Sequence, residues 1–330
     1  MSFVTTTTFS LLTSNGTNTV SVQYGDAAGN WATPISDTII HDNTRATGSL
    51  TIAGGAQYTL STSVTLTVFA GDNFGVANMK FSNDGTEWSA PEPYQTTTPK
   101  SWVLSSGDGG KTMYAQFQDA AGLWSGPTTT IMSTITLDTS APETVSLTVS
   151  GATSTVYTTS ANVTLNVTCS DATTNCSRME FSNNNETWST AVSYVTSTSW
   201  TLDTSSDGPK TVYAKFKDGA GNWTGAVIDG ITLDRVAPSG SVVINTASAY
   251  TSSPTTTLTL TCGDPSPGSS GCGKMQFSNS ISGPWSPLVS FGTVTTWDIT
   301  NGLYNGNTNN GEKTVYAKFT DEAGNETTTT

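Results

Sequence analysis

The amino-acid sequence predicts an all-β chain built as a row of antiparallel β-sandwich domains. Three observations predict it: phrases that recur along the chain, strict alternation of apolar and polar residues within each copy, and a composition rich in strand and turn formers.

The recurrence is the strongest of these signals. Met79-Lys80-Phe81-Ser82-Asn83 returns as Met179-Glu180-Phe181-Ser182-Asn183 and as Met275-Gln276-Phe277-Ser278-Asn279. A tryptophan follows each time (Trp88, Trp188, Trp285), then a second (Trp102, Trp200, Trp297). Next come Lys111 to Asp119, Lys210 to Asp218 and Lys313 to Asp321, each with an alternating Thr-x-Tyr-Ala-x-Phe run. Each run leads into a glycine turn, Ala121-Gly122-Leu123-Trp124, Ala220-Gly221-Asn222-Trp223 and Ala323-Gly324-Asn325. The copies join at Leu137-Asp138-Thr139-Ser140-Ala141-Pro142 and Leu233-Asp234-Arg235-Val236-Ala237-Pro238. These landmarks divide the chain into complete repeats at 44–142 and 143–238, and a repeat at 239–330 whose closing strand is missing or reduced. Residues 1–43 are the late strands of one more repeat. There Val20 to Tyr24 matches Met113 to Phe117, Phe9 takes the place of Trp102, and Asp26-Ala27-Ala28-Gly29-Asn30-Trp31 is the same turn.

The alternation has a period of two. Val64, Leu66 and Val68 are separated by Thr65 and Thr67, and Val163, Leu165 and Val167 repeat the arrangement. Such runs are strands with one buried and one wet face, and no window carries a helical stripe. About seven such runs per repeat, separated by Gly, Pro, Asn and Asp turns, make a sandwich of two antiparallel sheets. The tryptophans are expected to fill its core.

Composition agrees and excludes other classes. The 330 residues carry 25 acidic and 12 basic side chains, a formal charge of −13, and only 11% are charged. That balance argues against a nucleic-acid partner. No apolar run is long enough to span a bilayer. The N-terminal Met1-Ser2-Phe3-Val4-Thr5 lacks the basic and apolar blocks of a secretion signal, which fits a removed signal or a piece of a longer chain.

The phrases "FSNDGTEW" at 81–88, "KTVYAKFKDGAGNW" at 210–223 and "LDTSAP" at 137–142 resemble the immunoglobulin-like repeats of large bacterial and archaeal surface proteins. The resemblance runs along nearly the whole chain. It implies tandem immunoglobulin-like sandwiches in an extracellular adhesin, stalk or filament, without enzymatic chemistry. In some members of that family Ca²⁺ binds at the junctions.

The four cysteines fall at two aligned positions. Ala70, Cys169 and Cys262 share one, and Val76, Cys176 and Cys272 the other. Because the cysteines come and go in pairs, the reading is Cys169–Cys176 and Cys262–Cys272, each closing the loop between the second and third strands. Such bridges persist outside the reducing cytosol. Zinc is the rival reading, weakened because the two pairs lie in separate repeats.

Aspartates recur with equal regularity. Asp72, Asp171 and Asp264 open the loop after the second strand, Asp119, Asp218 and Asp321 precede the glycine turn, as Asp26 does, and Asp138 and Asp234 sit in the junctions. Asp72, Asp119, Asp138, Asp171, Asp218, Asp234 and Asp264 are candidate Ca²⁺ ligands, since that ion takes six to eight oxygens. The alternative is that each simply accepts hydrogen bonds from turn amides.

No catalytic constellation stands out. His41 is the single histidine, in the first junction, and no partner is assignable. Gly107-Asp108-Gly109-Gly110 reads as a hairpin turn, without the helix and Lys-Ser/Thr of a phosphate cradle. Sequons at Asn15, Asn162, Asn166, Asn175, Asn185, Asn222 and Asn325 are about as many as this Ser/Thr content produces by chance. The leading functional reading is therefore a structural module of a surface protein, touching neighbouring repeats or copies of itself. Head-to-tail strand complementation would follow if the late strands in 1–43 covered the short last repeat of another copy. The alternatives are a glycan- or protein-binding module, for which loops Gly268–Gly273 and Asn301–Gly311 are the unusual features, and an appendage of a secreted enzyme.

Overall fold

The computed structural model describes residues 4–96, 99–126, 131–152, 154–265 and 267–330, so the first three residues of the segment read for a leader lie outside it. The chain forms two compact units, Met1–Ser140 and Ala141–Thr330.

In the first unit, β1 (Gly16–Val22) and β2 (Ile35–His41) make a two-stranded antiparallel ladder. Residues 4–12, Phe9 among them, contribute no strand. A sandwich follows, from β3 (Thr47–Ile52), β4 (Tyr58–Thr59), β5 (Ser63–Gly71), β6 (Val76–Ser82), β7 (Glu92–Pro93), β8 (Lys100–Val103), β9 (Gly109–Asp119) and β10 (Ile131–Leu137). One sheet runs β3-β5-β8 and the other β4-β10-β9-β6-β7.

The second unit holds two more sandwiches. The first is built from β11 (Thr144–Ser150), β12 (Tyr157–Thr158), β13 (Asn162–Ser170), β14 (Cys176–Ser182), β15 (Val192–Ser193), β16 (Ser197–Thr201), β17 (Gly208–Asp218) and β18 (Val227–Leu233). Its sheets, β11-β13-β16 and β12-β18-β17-β14-β15, repeat the pattern of the first unit. The last comprises β19 (Ser239–Ile244), β20 (Thr255–Gly263), β21 (Cys272–Ser278), β22 (Val289–Ser290), β23 (Val294–Asp298), β24 (Tyr316–Asp321) and β25 (Glu326–Thr329). Its sheets are β19-β20-β23 and β22-β21-β24-β25, so the closing strand is present but shortened to four residues.

These are immunoglobulin-like sandwiches. Among the described residues the pairing is antiparallel except for one pair in each of the first two sandwiches: β4 runs parallel to β10, and β12 to β18. After β3 the chain turns through Ala53–Gly55 and crosses to the other sheet, where it meets the closing strand heading the same way.

Burial follows the alternation read from the sequence. Along β5 every second residue is buried, and Val64, Leu66, Val68 and Ala70 face inward. Phe81, Phe117, Phe216 and Phe319 are fully enclosed. Gly48 lets β3 pass over one of them, because a Cβ there would meet the Phe117 ring at 2.7 Å.

Of the two tryptophans expected in each core, one packs against it and the other does not. Trp102, Trp200 and Trp297 are half-buried at the sandwich margins, where each ring packs on a core phenylalanine. Their indole N–H groups donate to Asn83, Asn183 and Asn279. Trp88, Trp188 and Trp285 lie on the outer face under the ammonium groups of Lys80, Lys215 and Lys318. A bulky ring with a polar N–H suits a half-wet margin, whereas phenylalanine can be enclosed with no hydrogen bond to satisfy.

Candidate metal centre

Each of the long strands β9, β17 and β24 ends in an aspartate that organises the turn after it. The Asp119 amide donates to the Leu123 carbonyl and the Leu123 amide returns a bond to Asp119 Oδ1. Asp218 with Asn222 and Asp321 with Asn325 form the same pair of bonds. Asn222 and Asn325 add a third, from Nδ2 to the aspartate Oδ2. Leu123 has no such group, so Asp119 Oδ2 is left without a hydrogen-bond partner, although Asp119 is only 1% exposed.

Two further acids reach this corner of the first unit. Asp72 enters from the β5–β6 loop, its Oδ1 bonded to the Phe74 amide, and Asp42 from the segment after β2, its Oδ1 bonded to the Thr44 amide. Carboxylate oxygens of Asp42, Asp72 and Asp119 all lie within 4.8 Å of one another. Oδ2 of Asp42, of Asp72 and of Asp119 are all buried and unpartnered. Among the described residues no Lys, Arg or His forms an ion pair with them. With oxygens no more than 4.8 Å apart, each pair of charges repels by at least about 3 kcal/mol for an effective dielectric of about 20. Oxygens bound to one Ca²⁺ at about 2.4 Å lie at most about 4.8 Å apart, so the spacing fits that ion.

In the second unit Asp234, Asp264 and Asp321 form a triad within the same 4.8 Å limit, but its oxygens are differently served. Asp234 accepts from the amides of Val236 and Ser270, Asp264 Oδ2 from Gly271, and both oxygens of Asp321 from the 324–325 turn. Only Asp264 Oδ1 is buried without a partner. Asp171 and Asp218 also approach within 4.8 Å of each other, with Asp171 Oδ1 taking the amides of Thr173 and Thr174. Asp138, fully buried in the first unit, bonds through its amide to the Thr59 carbonyl and accepts from the Ser140 amide.

Asp42 and Asp321 were not among the candidate ligands, although both signals were in the sequence. His41-Asp42 stands where Leu137-Asp138 and Leu233-Asp234 stand in the later copies, and Asp321 is the third member of the pre-turn series. His41 itself ends β2, with Nδ1 3.3 Å from the Ser14 carbonyl.

The cysteines occupy the same corner. Cys169 is bonded to Cys176 and Cys262 to Cys272, with Cα–Cα separations of 6.1 and 6.3 Å. Cys176 is the ladder partner of Asp218 and Cys272 that of Asp321, and Val76 pairs with Asp119 in the repeat that lacks cysteines.

Elsewhere, lowered carboxylates mark structural bonds. The amides of Thr86 and Glu87 and the Ser82 hydroxyl hold Asp84 far below its usual range. Burial works to raise Asp207, but the amide and guanidinium of Arg235 outweigh it and leave Asp207 low. The Gly268–Gly273 loop has a packing role: Gly268 comes so close to the preceding sandwich that a Cβ there would fall 2.1 Å from Gly208 Cα.

The sheets define this chain as tandem immunoglobulin-like repeats, and its structural neighbours are adhesin repeats and fibronectin-III-like modules. One, from a 1.5-MDa bacterial ice-binding adhesin, is 18% identical, with 87% of this chain and 96% of that chain covered and a TM-score of 0.43. Another, a Ca²⁺-stabilised adhesin of an Antarctic bacterium, is 19% identical over 95% of this chain and 80% of that one, with a TM-score of 0.38. Fibronectin(III)-like modules of Clostridium thermocellum CbhA match at 15% identity over 56% of this chain and 93% of theirs, with a TM-score of 0.35. These likenesses are of fold alone. No protein-family model matches the chain, and no curated protein does. Among the described residues no helix is long and apolar enough to cross a membrane.

Proposed function

We propose that this chain is a spacer segment of an extracellular surface protein, the shaft of a stalk, filament or adhesin, stiffened by Ca²⁺ at its aspartate corners. The observation that carries this reading is how one repeat is fastened to the next within Ala141–Thr330. Asp234, just past the closing strand of one sandwich, is fully buried, and its carboxylate accepts from the Ser270 amide of the following sandwich. Asn325 Nδ2 donates to the Asp234 carbonyl, and the Ser270 hydroxyl accepts from the Ala323 amide. With Gly268 seated against Gly208, the junction is a packed joint tied by hydrogen bonds from both sandwiches. Such a joint transmits orientation from one domain to the next, which a spacer requires and a flexible string of binding modules does not.

The two disulfides support the extracellular placement, because such bridges persist in oxidising compartments. Three converging carboxylates with unpartnered buried oxygens support the ion. The apolar residues on β1–β2, with Ile35, Ile39 and Ile40 more than half exposed, are the surface this reading gives to a neighbouring repeat or a second copy. Screening the full chain against glycan and protein arrays tests the spacer reading. The expected outcome is no saturable ligand; specific retention that maps to loop 301–311 would replace the spacer with a binding module.

A further inference from the structure

One face of the middle sandwich carries charges that the protein does not balance. On the outer side of its larger sheet the exposed Arg178 of β14 stands directly opposite Lys217 of β17. The row continues to Ser193 of β15 on one flank and to Trp223 on the other. Like charges placed opposite one another repel. Among the described residues no carboxylate forms an ion pair with either cation. Arg178 spends one N–H on the Ala191 carbonyl, and the Lys217 ammonium lies 5.6 Å from the centre of the Trp223 ring. A ring face attracts a cation but brings no net negative charge. Glu180, farther along β14, stands opposite Lys215 instead.

The other two sandwiches settle the same row. In the first, Asn78 faces Gln118 and donates from Nδ2 to its Oε1, with Trp124 beside Gln118. In the last, Lys274 faces Thr320, and Glu326, in the place of Trp223, forms an ion pair with Lys318. Two facing cations beside a ring that is 37% exposed are thus peculiar, among the described residues, to the middle copy.

We propose that the row of Arg178, Lys217 and Trp223 holds a carboxylated saccharide, a unit of a uronic-acid polymer. Its carboxylate lies between the two cations and the C–H face of its sugar ring on the indole. Charge complementarity sets the sign of the partner: the row is a cationic spot on a chain of formal charge −13, and an arginine fork pairs with a carboxylate through two bonds. The form of the surface sets its class. β14 and β17 are each paired on both sides, so an acidic peptide finds no strand edge at the two cations. A flat row of charges and a ring fits a sugar whose rim is polar and whose face is not. Two cations and one ring on an open face hold one unit at about a millimolar dissociation constant. Such a contact washes off an array, so it goes beyond the spacer reading without depending on it. It gives a shaft a lateral hold on the polysaccharide around it.

NMR of the full chain labelled with ¹⁵N-tryptophan tests this, with the Trp223 indole signal identified by its loss in Trp223→Phe. At about 20 mM salt a hexamer of galacturonic acid shifts that signal saturably, with a half-effect at about 1 mM that weakens several-fold at about 0.2 M salt. Arg178→Asn with Lys217→Gln, which installs the neutral pair of the first sandwich, weakens binding about tenfold or more without lowering the melting temperature. Glu180→Gln, which removes the acid beside the row, strengthens binding about threefold. A row that serves only the fold gives neither change, so unaltered affinity in both variants overturns the proposal. Equal binding of a neutral galactose hexamer overturns it as well. Equal binding of a glutamate hexamer overturns the saccharide and makes the row a site for acidic peptides.

Discussion

The hairpin at 16–41 and the hairpin at 109–137 are nearly the same piece of structure in different surroundings. Both pair seven residues with seven, Gly16 to Val22 on His41 to Ile35 and Gly109 to Ala115 on Leu137 to Ile131. Asp26, four residues past β1, and Asp119, the last residue of β9, open the same turn, with reciprocal bonds to Asn30 and Leu123. Burial is where they part. Met113, Ala115 and Phe117 are 0, 3 and 0% exposed, whereas Val22 and Tyr24, at the places of Ala115 and Phe117, are 43 and 49% exposed. Short-range sequence therefore sets the strands, their register and the turn. The facing sheet β3-β5-β8 supplies the burial, and with it most of the energy.

The largest test of that division replaces the matched aromatics. Phe117→Ala is expected to cost about 3–5 kcal/mol, since the ring is enclosed by both sheets. Tyr24→Ala is expected to change stability by less than about 0.5 kcal/mol. Denaturant melts followed by Trp fluorescence measure both, and equal costs would mean that the first hairpin has a buried face after all.

A smaller effect comes from the turn. Asn222→Leu leaves a carboxylate oxygen of the buried Asp218 unserved and is expected to cost about 1–3 kcal/mol. The same change at Asn30, whose partner Asp26 is exposed, is expected to cost no more than about 0.5 kcal/mol. Thermal melts of the two variants give the ratio, and a cost at Asn30 as large as that at Asn222 would break the link between burial and bond strength.

The smallest effect is local. The Asn30 side chain is the main cause that lowers Asp26 below 3.8. A carboxylate lowered on folding stabilises above its unfolded pKa, and the contribution fades as pH falls through the lowered folded value. The amides of Ala28 and Asn30, which bond Asp26 Oδ1, should therefore exchange faster relative to unstructured amides as pH drops below about 3.8. An NMR titration of Asp26 at or above 3.8 would remove this bond from the account of the turn.

Much was legible in advance because it is written at short range. The period of two in Val64-Leu66-Val68 returns as the alternating burial of β5, and the paired comings and goings of the cysteines match the two bonded pairs. The same local logic placed Trp102, Trp200 and Trp297 against the cores but misplaced Trp88, Trp188 and Trp285, because hydrophobic size alone does not say whether an indole N–H can find a partner in the core. Asp42 was missed for a different reason: it aligns with Asp138 and Asp234, but His41 replaces the leucine that precedes them and the Ala-Pro that follows the later junctions is absent.

By itself, then, the sequence determined the β class, the repeat, the hairpin registers and the Asp–Gly turns. Each depends on residues a few positions apart, through backbone sterics and side-chain periodicity. Only the tertiary structure decided which of the recurring acids is satisfied and which is stranded. Leu123 in the place of Asn325 can be read from the sequence, but that no other group reaches Asp119 Oδ2, and that Asp42 and Asp72 converge beside it, cannot. Whether a buried charge has a partner depends on atoms brought together from distant strands, and in a low-dielectric corner an unpartnered carboxylate is costly.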